Sequence, residues 1–169
     1  MFDISIAALL LFSCTQKLDP GALKTEHFQI ELDTVITDIG IPWGMTFLPD
    51  KSMLIAEKSG KIYHKTGDHV EMVDGMPEVM VKGQGGLMDI QEHPDFEKEP
   101  WLYITYAADY PNENGGNTVF IRARFTDNRL TDIQEIMRAT PASGRGVHFG
   151  SRIAFDNEGH VFVSVGERG

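Results

Sequence analysis

A repeated unit of short apolar strands and tight turns constrains the fold of this chain more than any other feature. Each unit has an apolar strand, a turn at Pro49-Asp50, Pro94-Asp95 or Asn157-Glu158, and then a second apolar strand. Apolar and polar residues alternate at the period of two that half-buried strands show. No segment keeps apolar residues at the 3.6-residue period of a helix over several turns. The sequence therefore predicts an all-β fold of antiparallel strands.

Two complete units and the start of a third are predicted. The first unit follows a strand at residues 28–32 and holds four strands, at residues 45–48, 53–57, 61–64 and 69–73. The second holds four more, at residues 87–91, 101–107, 118–126 and 133–138, and the third begins with 152–155 and 161–165. Residues 131–138 could form one or two helical turns, but the segment is short and follows a strand, so a strand is predicted there.

Repeats of about 40 to 50 residues with four strands each are typical of β-propeller blades. An antiparallel sandwich is the alternative, because it too has short strands and frequent turns, but the repeat favours a propeller. Residues 28–169 are therefore predicted to form a partial propeller of about two and a half four-stranded antiparallel blades. Closure needs about four to eight blades. We therefore expect a piece of a longer protein, which alone is inactive and aggregates through unpaired strand edges.

Two glycine-rich loops occupy equivalent places in successive units. Gln84 lies ten residues before Pro94 in one loop, and His148 lies nine residues before Asn157 in the other. Each loop leads into the first strand of a blade, which in a propeller lines the central channel. Because these loops converge near the axis, we expect Gln84 and His148 to face one ligand.

His148 is the candidate general base, and Glu167, which follows the next hairpin, is the candidate group that orients it. Histidine titrates near neutral pH, and a nearby carboxylate can fix its tautomer. The alternatives are a histidine bonded to backbone, an amide at Gln84 that satisfies a turn, and, for Glu167, a surface charge or a salt bridge with Arg152 or Arg168. The other histidines show no metal-ligand clustering in the sequence.

The N-terminal residues indicate where in the cell the protein is located. An apolar run at residues 4–12 is too short to span a bilayer, and Cys14 follows it. Residues 1–14 look like the signal and lipobox of a bacterial lipoprotein, with Cys14 lipidated and residues 15–27 as a linker. The alternative is a frayed terminus with a chance cysteine. The sole cysteine excludes an internal disulfide.

Five motifs in order resemble the soluble glucose/sorbosone dehydrogenase family, the pyrroloquinoline quinone (PQQ)-dependent aldose sugar dehydrogenases. They span most of residues 28–169 and are the segments 41–50, 83–90, 93–96, 148–152 and 166–169. The resemblance implies a six-bladed propeller that binds PQQ with the help of Ca²⁺, whose ligands are expected beyond Gly169. It further implies oxidation of the C1 hydroxyl of an aldose sugar to a lactone, and an external electron acceptor.

The resemblance also implies roles for individual residues. His148 matches the general base and contacts the cofactor, together with Arg152. Glu167 matches an orienting residue that is usually aspartate, and Gln84 matches a residue that contacts the sugar. With 25 acidic residues, 15 basic residues and no basic cluster, nucleic acid is not an expected partner. The alternative function is a non-catalytic propeller that binds carbohydrate or protein at the cell surface.

The proposed leader predicts a periplasmic or cell-envelope lipoprotein that touches the membrane only through a lipid anchor. In cells given a labelled lipid precursor, we expect the protein to carry label in the membrane fraction. The label should be lost in Cys14→Ala. Recovery of unlabelled full-length chain in the cytosol would reject this localisation.

Overall fold

The computed structural model describes residues 22–169, with residues 22–24 described by their backbone alone. Cys14, the predicted leader and most of the predicted linker lie outside the described residues. The chain divides into two compact units, Met1–Thr37 and Asp38–Gly169. In the first unit, β1 (Ala22–Lys24) pairs antiparallel with β2 (Gln29–Glu31).

The first strand of this hairpin lies within residues 15–27, where the sequence predicted a linker. Residues 22–24 form a strand because their backbone pairs with residues 29–31, and the turn is closed by Thr25, whose N–H donates to the Phe28 carbonyl at 2.8 Å. The compact unit that contains the propeller strands starts at Asp38. The predicted domain boundary at residue 28 stays a prediction.

The second unit consists of three antiparallel sheets, named blades 1, 2 and 3. Blade 1 has the strand order β3 (Pro42–Phe47), β4 (Met53–Glu57), β5 (Ile62–Thr66) and β6 (His69–Val73). Blade 2 has the order β7 (Leu87–Glu92), β8 (Trp101–Asp109), β9 (Gly116–Thr126) and β10 (Arg129–Arg138). Blade 3 contains β11 (Gly150–Phe155) paired with β12 (Val161–Val165).

The first strands of the three blades are neighbours. Strand β7 packs beside β3 on one side and beside β11 on the other. Sheets that meet along their first strands while each runs outward in sequence order are propeller blades, not the two stacked layers of a sandwich. The predicted all-β propeller is confirmed, and residues 131–138 lie in β10, as predicted.

The turns explain why strands end where they do. Asp127 and Asn128 join β9 to β10 with φ values of 49° and 57°. Two consecutive positive φ angles define the tight hairpin turn that Asn and Asp tolerate best after glycine. In the predicted Pro49-Asp50 turn, the Asp50 carboxylate accepts the N–H of Ser52 at 2.9 Å. The residues at these turns therefore determine where the chain reverses direction between strands.

Two apolar layers hold the blades together. The layer between blades 1 and 2 contains fully buried side chains from both sheets, including Leu54, Ile62, Leu87, Ile90, Leu102, Ile104, Val119 and Ile121. The layer between blades 2 and 3 contains Trp101, Tyr103, Phe120 and Ile153. Trp101 and Tyr103 of β8 therefore pack between these two blades. Trp43 on β3 is not part of these layers and is 41% exposed.

Apolar surface remains uncovered at both ends of the blade series. On β3, Trp43, Met45 and Phe47 are exposed, and on β12 Phe162 and Val165 are exposed. Within residues 22–169, β12 pairs with β11 alone. Unpaired strands and open apolar faces favour association with further strands. No helix in this part of the chain has the length and apolar character to cross a membrane.

The layer between blades 1 and 2 should carry much of the stability. Ile104 is completely buried, so Ile104→Ala removes apolar contacts and leaves a cavity, at a cost of about 2–5 kcal/mol in unfolding free energy. Ile136→Ala is the matched control, because Ile136 is 47% exposed on β10, and it should change stability by less than about 1 kcal/mol. Urea denaturation measures both. Equal effects of the two changes would contradict this packing.

Candidate active site

A buried carboxylate on β7 fixes blade 3 against blade 2. Asp89 is only 2% exposed, and its Oδ2 accepts the backbone N–H of Ile153 at 2.8 Å. Its Oδ1 accepts the Arg152 guanidinium at 2.9 Å and the N–H of Ile90 at 3.1 Å. Because these bonds join the first strands of two blades, they fix where the loop before β11 can lie.

Two threonines extend this connection toward the loop. The hydroxyl of Thr105 on β8 donates to the Ser151 carbonyl at 2.8 Å. The hydroxyl of Thr118 on β9 donates to the Phe149 carbonyl at 2.9 Å. Both threonines are fully buried, and a buried hydroxyl usually keeps a partner. Blade 2 therefore holds the backbone on the C-terminal side of His148.

The two glycine-rich loops lie against each other. The N–H of Gln84 donates to the Gly146 carbonyl at 2.7 Å, and the N–H of His148 donates to Gln84 Oε1 at 2.8 Å. Gly83 has a φ of 57°, and a Cβ there would collide with the Gly146 carbonyl. Only glycine allows both that φ without strain and this close approach. The backbone N–H and the side-chain amide of Gln84 thus both bind the backbone of the His148 loop.

The segment after β12 completes the cluster. A Cβ on Gly166 would collide with the His148 carbonyl, so glycine lets the chain pass directly beside the histidine. Glu167 Oε1 then hydrogen-bonds His148 Nδ1. His148 has a φ of 51°, an uncommon backbone conformation for a residue with a side chain. Such an outlier persists where surrounding contacts hold it, and these are often functional positions.

The imidazole of His148 is exposed and has one nitrogen without a described partner. The His148 side chain is 53% exposed. Nδ1 is bonded to Glu167, while Nε2 makes no hydrogen bond within residues 22–169. An imidazole fixed through one nitrogen and open at the other can accept a proton from a bound ligand. This is the arrangement of a positioned general base.

The pKa of Glu167 lies below its ordinary value. The main cause is the backbone N–H of Gly169, which donates to the carboxylate, and the second is the hydrogen bond with His148. A lowered carboxyl pKa means that these interactions stabilise the folded protein above the unfolded pKa of about 4.3, and that the contribution is lost as pH falls through the folded value. Glu167 is therefore ionised at neutral pH.

The structure brings three of the predicted site residues together: His148, Glu167 and Gln84. The roles that the sequence assigned to them stay predictions. Arg152, predicted to contact a cofactor, binds Asp89 while its side chain remains 68% exposed. Glu167 does not pair with Arg152 or Arg168; its described partners are His148 and the Gly169 N–H.

Sequence reasoning missed two residues of the site, Asp89 and Arg168. Asp89 left a signal, since it is an acidic residue inside an apolar strand, and a buried carboxylate requires partners. The sequence gives no signal that Arg168 is buried, because an arginine in a polar loop is ordinarily exposed. Its side chain is instead 6% exposed beneath the His148 loop.

Two further features lie near blade 3. A cavity of about 510 Å³ borders Glu167 and is lined by polar groups such as Asn117, Ser143 and Arg145. Asp156, Glu158 and His160 could hold a metal ion in the β11–β12 turn, a grouping the sequence reasoning did not predict. That turn lies at the opposite end of β11 from His148, so it does not belong to the same site.

The sequence of this chain matches a protein family and several curated proteins. Residues 39–169 match the family described as Glucose / Sorbosone dehydrogenase. Aldose sugar dehydrogenase YliI of Escherichia coli K12 is 30% identical over 167 residues, which cover 96% of this chain and 43% of that protein. Quinoprotein glucose dehydrogenase B of Acinetobacter calcoaceticus is 26% identical over 158 residues, which cover 86% of this chain and 32% of that protein.

Solved structures of sugar dehydrogenases are similar to the structure of this chain. The apo form of the soluble aldose sugar dehydrogenase from E. coli superimposes with a TM-score of 0.72 at 31% identity, covering 77% of this chain and 39% of that one. The PQQ-bound aldose sugar dehydrogenase from Streptomyces coelicolor gives 0.70 at 23% identity, covering 82% and 41%, which shows the shared fold. The chain spans less than half the length of the curated relatives described above.

The bond between His148 and Glu167 can be tested by titration. In His148→Ala, the pKa of Glu167 should rise toward its ordinary value but not reach it, because the Gly169 N–H still donates to the carboxylate. Carboxyl ¹³C NMR across acidic pH measures this. His160→Ala, which removes the partner of Asp156, should leave Glu167 unchanged. An unaltered Glu167 titration in His148→Ala would show that the two side chains do not interact.

Proposed function

The chain belongs to the glucose/sorbosone dehydrogenase family, and we propose that it forms part of a PQQ-dependent aldose sugar dehydrogenase. The reaction proposed is oxidation of the anomeric C1 hydroxyl of an aldose to a lactone. The observation that carries the proposal is the state of His148, whose Nδ1 is held by Glu167, whose side chain is 53% exposed, and whose Nε2 has no hydrogen bond within residues 22–169. The family supplies the reaction class, and the site supplies a base suited to it.

His148 performs the proton transfer in this reaction. Its Nε2 takes the proton of the anomeric hydroxyl as the hydrogen on C1 leaves with its electron pair, so that C1 becomes the carbonyl carbon of the lactone. The ionised Glu167 stabilises the imidazolium that results. Gln84 keeps its amide nitrogen available to the sugar while its Oε1 accepts the His148 N–H. Positioned base catalysis contributes about 10² to 10⁴ in rate.

The residues present fit one edge of a PQQ site. Arg152 is anchored to the buried Asp89, yet its side chain is 68% exposed on the first strand of blade 3. A held, exposed guanidinium is suited to a carboxylate of the anionic quinone. When bound, PQQ supplies the acceptor for the hydride. His148 and Arg152 are the residues proposed to contact it.

Calcium and the remaining parts of the pocket are proposed to depend on residues outside this sequence. Relatives are more than twice as long as the part that this chain matches. The described groups that could ligate a metal, Asp156, Glu158 and His160, lie at the far end of β11. We therefore propose that the 169 residues alone are inactive and that an external electron acceptor serves the whole protein.

The location proposed for the protein is the periplasm or cell envelope. It rests on the apolar run at residues 4–12 followed by Cys14. Such a layout is that of an exported chain. An enzyme outside the cytoplasm would meet free aldoses directly and would contact the membrane only through its lipid anchor.

Activity of the whole protein, expressed from the complete reading frame, tests the proposal. Loaded with PQQ and Ca²⁺ and supplied with aldoses and an artificial electron acceptor, it should turn over. His148→Ala should lower kcat by about 10² to 10⁴ because the base is lost. His160→Ala should keep the full rate, since that residue lies in the β11–β12 turn.

One result would reject this function, and another would reject the role of His148 in it. No turnover with any aldose would favour the non-catalytic carbohydrate- or protein-binding alternative, especially if sugar bound without quinone. Full activity in His148→Ala would remove His148 from the chemistry even if the enzyme class were right.

A further inference from the structure

Arg168 is a buried arginine that has no part in the proposed chemistry. Its side chain is 6% exposed, and its charge lies among backbone carbonyls, with no carboxylate bonded to it in the described residues. Burial lowers the pKa of Arg168, since desolvation disfavours the charged form. The ordinary arginine pKa is so high that the group stays charged. Such a costly placement calls for a reason.

The guanidinium holds the backbone on the N-terminal side of His148. Nη1 donates to the Val147 carbonyl at 3.0 Å, and Nη2 donates to the Arg145 carbonyl at 2.7 Å. Nη2 also lies 3.4 Å from the Gly116 carbonyl at the start of β9. The planar fork of arginine suits several acceptors at once, whereas a lysine ammonium acts as a single point charge. The loop is thereby fastened to blade 2.

The same group covers the residue on the other side of His148. The Arg168 Cζ lies 3.4 Å from the centre of the Phe149 ring, which is 3% exposed. That ring also packs so tightly on Gly85 that a Cβ there would collide with it. Arg168, Phe149 and Gly85 therefore form a contiguous cluster that reaches the loop carrying Gln84.

We propose that Arg168 is a positioning residue that fixes the His148 loop, so that the imidazole meets Glu167 and the backbone N–H meets Gln84. Two consecutive residues then act on the histidine, since Glu167 holds the ring and Arg168 holds the backbone around it. Arg168 itself has a φ of 69°, and its buried Nε has no partner among the described residues. Both features cost stability and are tolerated where surrounding contacts require them. The inference rests on the proposed function only in giving His148 a catalytic role.

The test is NMR of the whole protein, labelled with ¹⁵N on histidine rings and backbone, without quinone or sugar. In the native protein His148 should show one tautomer, with Nδ1–H bonded to Glu167, and a protected amide. In Arg168→Gln the tautomers should average, and the His148 amide should exchange with solvent about tenfold faster. Arg168→Lys should remain folded and lie between the two. Circular dichroism reports folding in each variant.

Arg122→Gln is the matched control, because the Arg122 guanidinium also stacks on an aromatic ring, 4.5 Å from the centre of Trp101, away from the loop. It should leave the His148 signals unchanged. A folded Arg168→Gln with native His148 signals would overturn the proposal. So would global unfolding of both Arg168 variants, which would make the residue a general stabiliser of the fold. Absence of sugar oxidation would leave these readouts unaffected, so the two proposals fail separately.

Discussion

The buried Asp89 carboxylate is the interaction on which the rest of this structure depends. It accepts the Arg152 guanidinium and the Ile153 N–H, and so joins the first strands of blades 2 and 3. A buried carboxylate without such partners would be strongly unfavourable, so the pairing admits one arrangement of these strands. Apolar packing between the blades is not directional. These hydrogen bonds are directional, and they fix the position of one strand relative to the other.

The position of the His148 loop follows from this placement of the two strands. The loop before β11 must lie against the equivalent loop before β7, and His148 then meets the Gln84 amide. The segment after β12 passes beside it and supplies Glu167. The carboxylate of Glu167 reaches Nδ1 of the histidine. Three residues far apart in sequence thus form one cluster, with Nε2 as its open atom.

The sequence was sufficient to predict the features that depend on local sequence patterns. Alternation and turn residues such as Pro49-Asp50 predicted the strands of the blades, and the equivalent loop positions of Gln84 and His148 predicted that these two residues lie close together. It was insufficient where long-range packing decides. Residues 22–24, which lie in the predicted linker, form a strand by pairing with residues 29–31. Arg152 and Arg168 have partners that no spacing rule could supply.

The central claim is that His148 Nε2 accepts the proton of a sugar hydroxyl. The most direct measurement is a crystal structure of the whole protein with PQQ and a bound aldose. The account predicts that Nε2 lies about 2.6–3.2 Å from the anomeric oxygen, with Nδ1 still on Glu167. A sugar bound with its anomeric carbon away from His148, and Nε2 left to solvent, would contradict it.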